Sequence, residues 1–208
     1  MIKETEESSM NMEGKILEAA EKLFLEKGFA MTSTTEIAKE AGCNQALIHY
    51  YFRTKEKLFQ KIFESKIDLF ATTIFNNNSK AGTFDDKIRN VVYTHFDIIA
   101  KNPKLPFLIV NELSTNPKQV EWIKDKFHSL MPIRQFEDAL NAEIDAGAIR
   151  HATVFEIAFN IATLNFGFFI ALPIFTGVMG ITDKECISQL IEARKEEIAN
   201  VVISSLRP

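Results

Sequence analysis

Between Gly28 and Lys57 the chain reads GFAMTSTTEIAKEAGCNQALIHYYFRTKEK, and its side chains fall into two chemical sets. Asn44, Gln45 and Ala46 supply a polar side chain, an amide that pairs with adenine edges, and a methyl suited to the thymine methyl. His49, Tyr50 and Tyr51 follow, with tips that donate hydrogen bonds to phosphate oxygens. Lys55 opens the next helix, where free N–H groups already favour an anion. Thr32 and Ser33, ahead of these, are placed to hold the other side of a groove. This is chemistry for double-stranded DNA, with phosphate grips positioning the protein and the Asn44–Ala46 turn reading bases. A plainer alternative stays open on spacing alone: a helix–Gly–helix corner is common in all-α proteins, and Tyr50, Tyr51 and Phe52 can be packed aromatics. Local charge decides little, because Gly28 to Lys61 carries a net charge of only +2.

Two short helices must position these groups. Ser33 and Glu36 form a capping box, a hydroxyl followed three residues later by an acid, which opens a helix of barely two turns. Gly42 breaks it, Asn44 caps a second helix from Gln45 to about Phe52, and Thr54 caps the next. Two short helices joined by a glycine-containing turn make the helix-turn-helix pattern.

The rest of the chain is helical by the same logic. Ile16, Leu17, Ala20, Leu23 and Phe24 form one stripe of a helix over Asn11–Lys27, with Gly28 at its C-terminal cap. Further helices are expected at Lys55–Phe75, Phe84–Ala100, Pro106–Leu113, Lys118–Ala146 with a break at Pro132, Val154–Val178 and Asp183–Leu206. Capping boxes are expected at Thr153/Glu156 and Thr182/Glu185, with a weaker one at Thr83/Asp86. This predicts an all-α protein of nine or ten helices with no strand.

The chain has 208 residues, 46% hydrophobic and 25% charged, enough to bury a core without metals or disulfides. Its acidic, polar start is no secretory signal. Cys43 and Cys186 lie too far apart to suggest a disulfide framework or zinc ribbon. An intracellular, cytoplasmic protein is the expectation. The net charge of −4 gives no basic footprint, so a DNA partner must rest on local chemistry. No nucleophile–base pairing, phosphate-cradling glycine loop or metal spacing supports an enzyme or a cofactor.

The run Ile16–Phe59 resembles the N-terminal domain of TetR-family transcriptional regulators. The matching pieces are Ala19-Ala20, Leu23-Phe24 and Gly28-Phe29, then Thr32-Ser33, Ile37-Ala38 and Ala41-Gly42, then Tyr51-Phe52, Lys55-Glu56 and Leu58. The resemblance covers the first third of the chain; beyond it only helix count and order are similar. It implies a helix-turn-helix domain over 1–54 and a helical regulatory, ligand-binding and dimerisation domain over 55–208. It also implies a homodimer on a palindromic operator, a repressor by the commoner mode, with half-sites ~34–36 Å or a multiple apart. The family's DNA-contacting positions fall on Thr32, Ser33, Asn44, Gln45, Ala46, His49, Tyr50, Tyr51 and Lys55. Ala46 stands where glycine is frequent, His49 where tyrosine is common and Tyr50 where histidine often sits. The acidic start lacks the basic arm that some members extend into the minor groove.

The same resemblance implies a small-molecule pocket in the C-terminal helices for a small, largely apolar effector. Phe70, Phe96, Phe107, Glu112, Trp122, Phe127 and Phe166 are the candidate lining, against the plainer reading that phenylalanines at helical spacing are core. His95 and His128 match no tight metal motif.

From Ile157 to Thr182 no side chain is charged, long enough to span a bilayer, so a membrane-tethered interaction protein is the alternative reading. Asn160, Thr163, Asn165 and Pro173, and flanks without a cationic cluster, favour instead a helix buried on both sides. Two such helices from each of two chains, the other being the last helix, would make a four-helix bundle, and there the resemblance places a dimer interface, expected at Phe159, Phe166, Phe169, Ile187, Leu190, Ile191, Ile198 and Val201.

Overall fold

The computed structural model describes residues 2–78, 82–115, 117, 118, 120, 121 and 131–208, and the side chains of all of these except 2–11, 70, 74–78 and 131–133. Among the described residues there are nine helices and no strand. They fall into two compact units, Met1–Asp68 with Leu108–Gln119, and Leu69–Phe107 with Val120–Pro208.

In the first unit, α1 (Ile2–Lys27) buries Ile16, Ala19, Ala20, Leu23 and Phe24, the stripe set by their three- and four-residue steps. It begins nine residues ahead of the expected Asn11. Gly28, at φ +84°, ends it, and its N–H returns to the Phe24 carbonyl at 2.9 Å. α2 (Thr34–Ala41) opens with a complete capping box: the Ser33 side chain accepts the Glu36 N–H, and Glu36 accepts the Ser33 N–H. Gly42 closes it at φ 69°, a left-handed conformation that a Cβ disfavours. α3 (Gln45–Phe52) is capped by Asn44, whose side chain accepts the Leu47 N–H at 3.0 Å. α4 (Lys55–Asn78) starts where the Thr54 hydroxyl accepts the Lys57 N–H at 3.2 Å. Ile16, Ala20, Phe24, Ile37, Ile48 and Leu58 interlock as the core, each large side chain contributing roughly 1.5–3 kcal/mol by burial. That core holds α2 and α3 at a fixed angle.

α5 (Phe84–Lys101), α7 (Met131–Asp145), α8 (Val154–Met179) and α9 (Lys184–Ser205) build the second unit, while α4 and α6 (Leu105–Thr115) each carry residues of both. Phe84, Ile88, Val92, Phe96 and Ile99 on α5 meet Ile157, Ile161 and Phe169 on α8 and Ile198, Val202 and Leu206 near the end of the chain. The Thr83/Asp86 box is complete. At Thr153 the hydroxyl accepts the Glu156 N–H, and the Glu156 carboxylate pairs with Arg150. α9 is capped by Asp183 rather than Thr182: its carboxylate accepts the Cys186 N–H at 2.8 Å, a charged acceptor set one residue further on. α7 begins at Met131, so Pro132, where a break is expected, stands in its first turn, a place where its missing N–H is no loss. α8 continues through Pro173 to Gly180 at φ 67°.

Candidate nucleic-acid interface

α3 is short and two-faced. Ile48 and Phe52 are buried in the first core, while Asn44, Gln45, Ala46, His49 and Tyr50 are exposed. Tyr50 leaves 74% of its surface open and sets its ring edge-on to Tyr51 at 5.2 Å. Tyr51 is half-buried against the core. The leading turn of α3 is therefore open to a partner, as a base-reading turn needs to be.

The Gln45 amide is held. Its Nε2 donates to the Thr34 hydroxyl at 2.8 Å, and the Thr35 hydroxyl donates to its Oε1 at 3.3 Å. An amide has two N–H groups and two acceptor lone pairs, so one of each is left for a base edge. Thr34 and Thr35 were not among the expected residues. Their role is not visible in sequence because it joins the start of α2 to the start of α3 across ten or eleven residues. His49 Nδ1–H donates to the Arg53 carbonyl at 3.0 Å, which leaves Nε2 as the outward ring atom.

Two expected contacts are corrected. Thr32 is 1% exposed, and its hydroxyl donates to the carbonyls of Gly28 at 2.9 Å and Leu23 at 3.2 Å. That side chain ties the loop after α1 and is turned away from any groove. Lys55 directs its Nζ to the carbonyls of Phe29 at 2.9 Å and Thr32 at 3.0 Å and lies 4.3 Å from the Phe29 ring centroid. Two of its three N–H groups are thus spent inside the unit. Ser33 remains exposed but is engaged in its capping box.

Charge across this unit is largely compensated. Lys22 pairs with Glu40 at 2.6 Å, Lys27 with Glu36 at 2.7 Å, Lys66 with Glu21 at 2.7 Å and Lys61 with Glu64 at 3.7 Å. Lys27 and the Ser33 N–H and hydroxyl together hold the Glu36 carboxyl down at about 2. Lys39, Arg53 and Lys57 make no ion pair with any described residue.

Of the expected effector residues, Phe96, Phe107, Glu112 and Phe166 have described side chains. Phe70, Trp122 and Phe127, like His128, lie outside the described side chains. Phe96 is fully enclosed by the second core, against Phe168 and Phe169, so it walls no cavity. Phe107 is half exposed, and Glu112 is buried within the first unit. Phe166 stacks on His95 at 5.3 Å. Beside it Asn165, fully buried, donates to His95 Nδ1 at 2.9 Å, while its Oδ1 has no donor among the described residues. Burial pushes the His95 imidazole down to about 4. This polar pair was not singled out in sequence because its members stand 70 residues apart.

The expected dimer residues divide. Phe169 and Ile198 are core side chains of their own chain and present no surface, a correction to the expected face. Phe166, Ile187 and Ile191 are half-buried. Phe159, Leu190 and Val201 are exposed, and Phe155, Ile174 and Val178 join Phe159 as an uncovered apolar line on α8. A shallow groove along α9 is lined by Ala193, Glu197, Asn200, Val201 and Ser204.

Residues 16–62 match the family described as bacterial regulatory proteins, tetR family. The chain is 25% identical over 138 residues to the fatty acid metabolism regulator protein of Bacillus subtilis (strain 168), covering 65% of this chain and 70% of that one. It is 42% identical over 53 residues to the HTH-type transcriptional regulator QacR of Staphylococcus aureus (strain Mu50 / ATCC 700699), covering 26% of this chain and only 28% of that one. Among solved structures, a TetR family transcription regulator from Marinobacter aquaeolei VT8 has a TM-score of 0.67 at 18% identity, covering 92% of this chain and 97% of that one. The regulator FadR from Bacillus subtilis, in complex with stearoyl-CoA, has a TM-score of 0.66 at 19% identity, covering 93% and 98%. These structural likenesses establish a shared fold.

Proposed function

We propose that this chain, whose residues 16–62 match the tetR family of bacterial regulatory proteins, is a transcriptional repressor that holds a palindromic operator as a homodimer and leaves it when a small, largely apolar effector binds. The observation that carries the reading is the open leading turn of α3, Asn44-Gln45-Ala46, over a buried anchor of Ile48 and Phe52. An exposed turn on a rigid base is what major-groove readout requires. Gln45 reads an adenine edge with the donor and acceptor that Thr34 and Thr35 leave it, and Ala46 meets a thymine methyl. Ser33, Asn44, His49, Tyr50 and Tyr51 position the helix on phosphates.

In this reading residues 1–54 are the DNA-reading head and residues 55–208 hold the effector and the dimer contact. The uncovered line Phe155, Phe159, Ile174 and Val178 on α8, with Leu190 and Val201 on α9, is the face a second copy covers. Relatives named for fatty acid metabolism, one holding stearoyl-CoA, make acyl chains and their thioesters the first effectors to test. The place of action is the cytoplasm.

Selection from a pool of randomised duplexes tests the proposal. It should enrich an inverted repeat, and Gln45→Ala should then lose ~1–3 kcal/mol on that sequence while random DNA is unaffected. A pool without enrichment, or equal losses on both DNAs, contradicts it. α8 is also long and apolar enough to cross a membrane. A chain that needs detergent to leave the membrane fraction supports the tethered alternative; a dimer in detergent-free buffer supports the repressor.

A further inference from the structure

Between α3 and α4 one residue holds a backbone its side chain does not favour. Arg53, at φ 67° and ψ −53°, is the one non-glycine residue of positive φ among the described residues. The Thr54 N–H donates to the Phe52 carbonyl at 2.7 Å, closing a three-residue γ-turn of the positive-φ kind, which is rare and strained for L residues. The turn gives no reason for an arginine. Its N–H donates to the His49 carbonyl at 3.1 Å, and its carbonyl accepts from His49 Nδ1 at 3.0 Å. A glycine would keep both and remove the strain.

What glycine would lose is the side chain. It is exposed, and its guanidinium makes no hydrogen bond or ion pair with any described residue. Of the other cations of the first unit, Lys22, Lys27, Lys61 and Lys66 face carboxylates and Lys55 faces carbonyls, while Lys39 and Lys57, like Arg53, make no ion pair with any described residue. An exposed, uncompensated guanidinium is therefore carried by the residue that ends α3.

We propose that Arg53 is a phosphate-binding residue of the DNA interface, and that the strained turn persists because it sets this guanidinium against the DNA backbone. The inference rests on the DNA-binding reading above. A planar fork of N–H donors matches a phosphate bidentately and does so at any sequence.

The test uses random-sequence double-stranded DNA, with wild type, Arg53→Gly and Arg53→Lys compared by fluorescence anisotropy across a salt series and by thermal melting. Arg53→Gly should melt at the same or a higher temperature, bind more weakly, and flatten the slope of log K against log salt by ~1. Arg53→Lys should keep most of that slope. Wild-type affinity and slope in Arg53→Gly overturn the proposal, and so does a joint loss of melting temperature and affinity, which makes the arginine part of the fold. If the wild-type chain itself does not bind at low salt, the DNA-binding reading fails first and takes this inference with it.

Discussion

Lys55 shows how a side chain that looks free in sequence can be committed in the fold. Its ammonium joins two carbonyls of the loop after α1 and covers the Phe29 ring, so it ties the start of α4 to the end of α1. Lys55→Met keeps the stem but leaves both carbonyls without that donor. It should cost roughly 1–3 kcal/mol in urea unfolding, with little change in the salt slope of DNA binding. Unchanged stability with a slope lowered by ~1 would return Lys55 to the phosphates. Glu36 acts through its charge. Its carboxyl is held from 4.5 down to about 2 by Lys27 first, and then by Ser33. A carboxyl lowered by folding stabilises the fold fully above its unfolded value and loses that contribution as pH falls toward the folded one. Glu36→Gln should therefore be less stable than wild type at neutral pH, and the gap should close as pH drops from 4.5 to about 2. Urea midpoints taken at stepped pH measure this; a gap independent of pH would assign the loss to packing.

At the scale of elements, the angle between α2 and α3 depends on Gly42. Its left-handed φ of 69° ends α2 and lets the Cys43 N–H reach the Ala38 carbonyl at 2.9 Å. No atom crowds the place of a Cβ there, so Gly42→Ala isolates the backbone cost, ~1–2 kcal/mol in unfolding free energy. A neutral substitution would show that the turn does not depend on glycine. This much was legible in sequence because it is local. Ser33/Glu36, Thr83/Asp86, Asn44 and the glycines at 28 and 42 act over three or four residues, and the structure forms each as written. What was not legible is tertiary. Thr32 and Lys55 turn inward toward carbonyls 4–26 residues away, and His95 finds Asn165 across 70. α8 is apolar on every side, so periodicity alone does not say that Ile157, Ile161 and Phe169 meet their own core while Phe155, Phe159 and Val178 stay uncovered.

For the whole molecule, that uncovered line is the feature a lone chain explains least well. Six large apolar residues on α8, Phe155, Phe159, Ile174, Phe175, Val178 and Met179, are each more than half exposed. In the proposed dimer a second copy covers them, and two-fold pairing would give two α3 helices the symmetry of an inverted repeat. Phe159→Asp with Val178→Asp should turn a dimer into a monomer on sedimentation and weaken operator binding far more than random-DNA binding. A variant that stays dimeric would move the interface elsewhere. The central claim, that the leading turn of α3 enters the groove, is tested most directly by site-directed cleavage. A chain with Cys43→Ala and Cys186→Ser carries Ala46→Cys labelled with an iron–EDTA reagent. The account predicts strand scission from position 46 at two places on the selected operator, one helical turn or a multiple of it apart. Absence of scission from position 46, with the operator still bound, would contradict it.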